Sequence, residues 1–168
     1  RSDFSQVAAL DRAGPMALDP GKRLFMVSEC TVWAYDLADL SQPPLAAIPA
    51  PRMCWGHVPL NVVTDPAGRR LYVLFVDNLS SPPHRRQFYT SYNLDTLAEL
   101  GEFQRELGTL TRPAIAERAG FMVITLYAKS GLPGSNELLI LDREGQELKR
   151  YMPLDGVPAT DADGTWIY

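Results

Sequence analysis

His57, His84, Cys30 and Cys54 are the only histidines and cysteines of the chain, and they are its natural candidates for metal or nucleophile chemistry. A metal centre draws three or four ligands from His, Cys, Asp and Glu at short spacings. Neither a His-x-x-x-His nor a Cys-x-x-Cys pair occurs. His57, beside Gly56, reads as a connector residue, and His84, in a Pro/Arg stretch, as a solvated one. No Gly-x-Ser-x-Gly elbow marks a nucleophile, and neither a P-loop nor a dinucleotide fingerprint is present. Gly131-Leu132-Pro133-Gly134-Ser135 is a loop, since no helix follows to turn it into a phosphate cradle. Asp19, Asp36, Asp65 and Asp142 read as turn residues. The residues therefore predict no catalytic group, no metal and no cofactor.

Binding is the chemistry left. His84-Arg85-Arg86 is a basic cluster in an acidic chain, suited to a carboxylate, a phosphate or an acidic partner. Trp55 lies in a connector, where an aromatic can anchor an interface. Trp33, Tyr35, Tyr72, Phe75, Tyr92 and Trp166 fall in apolar runs and read as packing residues. Cys30 and Cys54 map to the same side of the expected fold. A disulfide and two separate thiols both remain open, because bridging needs Cα atoms within about 7 Å.

The elements that would position these residues follow from composition and repetition. The 168 residues suit one domain, 1–168, and 46% apolar with 21% charged residues is globular usage. No apolar run is long enough for a membrane helix. A net charge of −4 and a pI near 5.1 argue against nucleic acid as a partner. Fourteen prolines and twelve glycines, spread evenly, point to short strands and many turns. The chain opens on Arg1 and stops in an apolar strand, so a processed or partial product is expected, with a lean toward a periplasmic or otherwise exported protein.

Four segments align. They centre on Asp19-Pro20-Gly21, Asp65-Pro66-Ala67-Gly68, Glu117-Arg118-Ala119-Gly120 and Asp161-Ala162-Asp163-Gly164, and their glycines are 47, 52 and 44 residues apart. Each reads as strand, tight turn, apolar strand. A third strand ends on an acid or amide at Asp36, Asn93 and Asp142, a fourth follows, and a proline-bearing connector leads on: Gly56-His57-Val58-Pro59, Thr111-Arg112-Pro113, Gly156-Val157-Pro158. Four antiparallel strands at this period predict an all-β chain of β-propeller blades at approximately 16–58, 59–112 and 113–157, with partial strands at 4–10 and 158–168.

The stretch Asp65-Pro66-Ala67-Gly68-Arg69-Arg70-Leu71-Tyr72-Val73, continuing to a strand, an acid or amide, a strand and Gly-x-x-Pro, resembles the YVTN-type propeller repeat. Residues 70–77 with the basic loop behind them are similar to part of a methylamine dehydrogenase heavy chain. The YVTN-type resemblance implies, as the alternative function, either the propeller subunit of a redox enzyme of the amine dehydrogenase type or a lactonase-like hydrolase. The lactonase reading wants an acid repeated at the first-strand position, and none is read there. Three blades and loose ends do not close a ring, which takes about four to eight blades. A fragment of a larger propeller, a ring completed by another chain, and a compact four-bladed ring are the three resolutions.

In a propeller, turns 1–2 and 3–4 share one face, while the 2–3 turns and connectors share the other. The second face carries every long segment, at 50–57, 77–87 and 128–136. Long loops on a rigid scaffold are where binding resides. The expected binding face therefore comprises Trp55, His57, Asn78, His84, Arg85, Arg86, Lys129 and Asn136, with Cys30 and Cys54 nearby. The expected function is a non-enzymatic binding or scaffolding propeller, an accessory subunit contacting other proteins in a larger exported or membrane-associated assembly.

Overall fold

A computed structural model describes residues 10, 12–50, 57–77, 87–105, 109–110, 113–127, 136–152 and 158–167. Thirteen strands make up the described regular structure, and the class is all-β as expected. The first sheet holds β1 (Met16–Asp19), β2 (Arg23–Ser28), β3 (Thr31–Asp36) and β4 (Ala46–Pro49) in sequence order, all antiparallel. The second holds β5 (His57–Asp65), β6 (Arg70–Asp77), β7 (Gln87–Asn93) and β8 (Glu99–Arg105). In the third, β9 (Thr109–Leu110) and β10 (Ala114–Ala116) share the first position beside β11 (Phe121–Tyr127), followed by β12 (Glu137–Asp142) and β13 (Glu147–Tyr151).

Local chemistry closes each hairpin. Lys22 N–H donates to the Asp19 carbonyl at 3.0 Å, and Gly21 takes the positive φ of 69° the turn requires. Glu29 and Cys30 turn β2 into β3 with φ of 49° and 64°, a two-residue turn whose twist suits antiparallel strands. The Asp142 carboxylate accepts the Glu144 and Gln146 N–H groups at 3.0 and 2.8 Å, which sets the β12–β13 turn.

The middle strands lack the alternation of a half-exposed sheet. Residues 71–76 of β6 and 87–92 of β7 are all buried, because the second sheet is covered on both faces. One face meets the first sheet through Phe25, Val27 and Val32 against Leu71, Val73 and Phe75. The other meets the third sheet through Tyr72, Leu74 and Tyr89 against Met122, Ile124 and Leu139. Outer strands are drier on one side only, and β13 is exposed along its whole length.

β5 of the second sheet lies beside β1 of the first. Thr64 Oγ1 on β5 donates to the Leu18 carbonyl on β1 at 2.5 Å. β5 also corrects the sequence reading, in which His57-Val58-Pro59 belonged to a connector. Those residues open the strand, paired with residues 75–77 of β6. Proline fits there because β5 is an edge strand and the ladder is irregular between Pro59 and Asn61.

Candidate functional site

The strand ends divide the molecule into two chemically different ends. At one end the 1–2 and 3–4 turns of neighbouring sheets are joined by ion pairs. Asp19 closes β1 with its side chain 2% exposed, and Arg69, from the next sheet's first turn, reaches it at 3.4 Å. Arg69 Nε also donates to Asp95 Oδ2 at 3.0 Å, and Arg23 Nη2 lies 3.4 Å from Asp95 Oδ1. The Arg69 hydrogen bond holds the Asp95 carboxyl below the usual carboxylate range, and Arg69 is itself raised by that bond.

The same device joins the second sheet to the third. Asp65 closes β5 with a side chain 1% exposed, and Arg143 Nε donates to its Oδ2 at 2.6 Å. The other oxygen of Asp65 accepts Gly68 N–H at 2.9 Å. Arg143 Nη2 donates to the Glu117 carbonyl at 2.7 Å. Arg70 Nη1 donates to the Arg143 carbonyl at 2.9 Å, and Nη2 pairs with Glu144. The Tyr72 hydroxyl donates to the same carbonyl at 3.2 Å, and burial pushes its phenol well above the ordinary range. Gly68 is needed for close approach: a Cβ there would run into both Asp65 and the Arg143 guanidinium. The hydrogen bond to Asp65 raises Arg143 further.

These contacts revise one sequence reading. Asp19 and Asp65 are more than turn residues, since each carries its charge across to the next sheet. Both carboxylates are engaged by arginines, and among the described residues no group of three His, Cys, Asp or Glu is placed to hold a metal ion. In the third sheet the register puts Ala116 opposite Phe121, where Asp19 faces Arg23 and Asp65 faces Arg70. The clasp changes there to Arg118 on Asp163 at 3.1 Å, with Arg118 N–H donating to the Ala162 carbonyl. The signal in the sequence was the alignment itself, which puts acids 19, 65, 117 and 161 in one column.

At the opposite end lie the ends of β4, β6 and β11 and the starts of β5, β7 and β12, together with the Glu29-Cys30 turn. The connections through 50–56, 78–86 and 128–136 leave from here, whereas the nine-residue connection 37–45 between β3 and β4 lies at the turn end. His57 opens β5 opposite Asp77, and Asn136, half-buried, directly precedes β12. Cys30 occupies the adjacent β2–β3 turn. Trp55, Asn78, His84, Arg85, Arg86, Lys129 and Cys54 lie outside the described residues. The strand ends bring His57, Asn136 and Cys30 to one end of the sheets, as the blade topology predicts.

A third feature, missed in the sequence, lies beside the first strands. A groove of about 530 Å³ is lined by Met16, Leu18 and Leu24 of the first sheet and Val63 and Thr64 of the second. It adjoins one of about 500 Å³ lined by Leu10, Met16, Leu24, Met26 and Leu40. Met16 and Leu18, which the sequence reading did not single out, are 53% and 51% exposed.

Antiparallel four-stranded sheets packed face to face, with β1 beside β5 and charged turns clasped between neighbouring sheets, form a propeller-like arrangement. No protein-family model and no curated protein sequence matches the chain. Among solved structures, a chain of Kuenenia stuttgartiensis hydrazine synthase is similar at 14% identity and a TM-score of 0.45. The match covers 92% of this chain and 60% of that one, so this chain spans less than two thirds of the length of the protein it matches.

Proposed function

We propose that this chain is a non-enzymatic binding and scaffolding propeller, an accessory subunit that contacts other proteins in a larger exported or membrane-associated assembly. The observation that carries the reading is the division of labour between the two ends of the sheets. Asp19, Asp65, Arg69 and Arg143 are spent on one another, which fixes the sheets relative to each other. Three of the four long connections, 50–56, 78–86 and 128–136, leave from the other end, and the middle strands β6, β7, β11 and β12 beneath them are largely buried. A fixed scaffold beneath variable loops suits recognition, because the loops bind without the scaffold having to reorganise. The contact residues in this reading are Trp55, His57, Asn78, His84, Arg85, Arg86, Lys129 and Asn136. The turn-and-strand pattern of residues 65–73 supports placing the repeats with the YVTN type.

The test is cross-linking with mass spectrometry in extracts of the native source. Cross-links to a foreign polypeptide should concentrate on Lys129 and on segments 50–57 and 78–86. Shortening residues 79–86 and 130–135 should abolish them. Cross-links confined to the turn end, around Lys22 and Arg118, would overturn the reading, as would loop-shortened chain that still joins the native particle.

A further inference from the structure

The turn between β5 and β6, residues 66–69, and the turn between β10 and β11, residues 117–120, are of equal length, since Asp65 faces Arg70 and Ala116 faces Phe121. The last residue of the third-sheet turn is Gly120, at φ 78°. In the second sheet the same place is held by Arg69, at φ 51°. The left-handed region crowds a Cβ against the backbone, so glycine is its ordinary occupant, and another residue persists there only where its surroundings hold it. The strain marks Arg69 as a residue kept for what its side chain reaches.

Its guanidinium reaches Asp19 at the end of β1, at 3.4 Å, and Asp95 of its own sheet, at 3.0 Å. Its backbone is tied as well: Arg69 N–H donates to the Pro66 carbonyl at 3.3 Å, and its carbonyl accepts Leu94 N–H at 2.8 Å.

The third sheet enters the same turn through Asp65. Oδ1 of Asp65 accepts Gly68 N–H at 2.9 Å, and Oδ2 accepts Arg143 Nε–H at 2.6 Å. Gly68 directly precedes Arg69, so the carboxylate that receives the third sheet also ties the backbone leading into the strained residue. Room is tight there: a Cβ on Gly68 would lie 2.2 Å from both Asp65 Oδ2 and Arg143 Nε, and one on Gly120 would lie 2.9 Å from Arg143 Nη1. Arg143 is thus wedged against both turns, with Nη2 on the Glu117 carbonyl.

We propose that the β5–β6 turn is a coupling device: the seating of Arg143 on Asp65 holds Arg69 in its left-handed conformation and aims it at Asp19, so the joint between the first and second sheets and the joint between the second and third tighten and loosen together. Asp65 and Gly68 are positioning residues for Arg69. Such coupling is reciprocal. It belongs to the turn end and stands whether or not the loop end binds other proteins.

The titration of the Asp95 carboxyl, followed by nuclear magnetic resonance, reads the first joint. Arg69 holds that carboxyl, and Arg23 and Lys22 are the other charges acting on it. Arg143 is not among them, so an effect of Arg143 on Asp95 travels through the turn. Arg69→Gln sets the full shift, moving the Asp95 midpoint up toward the ordinary carboxylate range. Arg143→Met and Gly68→Ala should each move it the same way by a substantial part of that shift, although Gly68→Ala changes no charge. Leu138→Ala, which weakens the third sheet on its far side, should leave the midpoint where it was. An Asp95 midpoint unmoved in both Arg143→Met and Gly68→Ala overturns the proposal. So does one moved by Gly68→Ala alone, because the turn then aims Arg69 without the third sheet. An equal shift in Leu138→Ala means general loosening and also overturns it. The reverse measurement starts from the first joint: Arg69→Gln should speed hydrogen exchange of Arg143 Nε–H severalfold. An unchanged rate overturns the proposal even where the other variants fail to fold.

Discussion

Removing Arg143 should show how much the clasp between the second and third sheets contributes. In Arg143→Met the aliphatic stem is kept and two charge-assisted bonds are lost, to Asp65 at 2.6 Å and to the Glu117 carbonyl at 2.7 Å. Asp65 remains, 1% exposed, with Gly68 N–H as its remaining hydrogen-bond donor among the described residues. Stranding a buried charge in this way costs about 3 to 5 kcal/mol. The Arg143 side chain is 27% exposed, so water screens part of the pair and the lower value, about 3 kcal/mol, applies. In a chain of this size that lowers Tm by roughly 6 to 12 °C. Asp65→Asn keeps the cap on Gly68 and leaves a guanidinium that water can reach, so it should cost about 1.5 to 3 kcal/mol. In the double variant both partners are gone, and the loss should fall short of the sum of the single losses by about 2 kcal/mol. Denaturant melts of the four proteins give the cycle. Single losses that add to within about 0.5 kcal/mol, or an Arg143→Met loss below about 1 kcal/mol, would refute the reasoning that Asp65 is a buried charge dependent on Arg143.

Three more outcomes follow from the same geometry. Gly145 turns β12 into β13 at φ 83°, and a Cβ there would strike the Phe103 ring, whereas Gly21 at φ 69° has open space around it. Gly145→Ala should therefore cost clearly more than the ~1 kcal/mol expected of Gly21→Ala from backbone strain alone, as compared by thermal melts. The Tyr72 phenol is raised by burial above its unfolded value, so its contribution is complete below about pH 10 and is lost as pH rises beyond it. Urea midpoints should fall from pH 10 upward, and Tyr72→Phe should flatten that fall. The Asp95 carboxyl is depressed by Arg69, so its contribution is present above about pH 4 and is lost as pH falls through its folded value. Arg69→Gln should remove that acid-side slope, and an unchanged slope would mean the hydrogen bond to Asp95 does not persist in solution.

What could be read from the sequence was local. Each hairpin is announced by its own turn residues and by apolar strands on either side, so β6, β7, β11 and β12 stand within a residue or so of the segments their patterns indicate. The aromatic residues Tyr72, Phe75 and Tyr92, read as packing residues, are buried between the sheets. His57-Val58-Pro59 misled because proline normally breaks a strand, and whether β5 is an edge strand is a property of the sheet, not of the segment. The two ends of the sheets were likewise readable from topology, since strand ends alternate, and His57, Asn136 and Cys30 fall where that alternation puts them.

The inter-sheet chemistry was decided by tertiary structure. Asp19 meets Arg69 across 50 residues and Asp65 meets Arg143 across 78. Within its own segment, an aspartate in an Asp-Pro-Gly or Asp-Pro-Ala-Gly turn has a sufficient local explanation, so its second role leaves no local trace. Exposure of Met16, Leu18 and Trp166 was equally hidden, because their alternation with buried neighbours is the same as in strands whose faces are covered. Sequence determines which face of a strand is apolar through the period-two geometry of the backbone. Only the stacking of sheets decides whether that face is buried, because burial depends on what the rest of the chain brings against it.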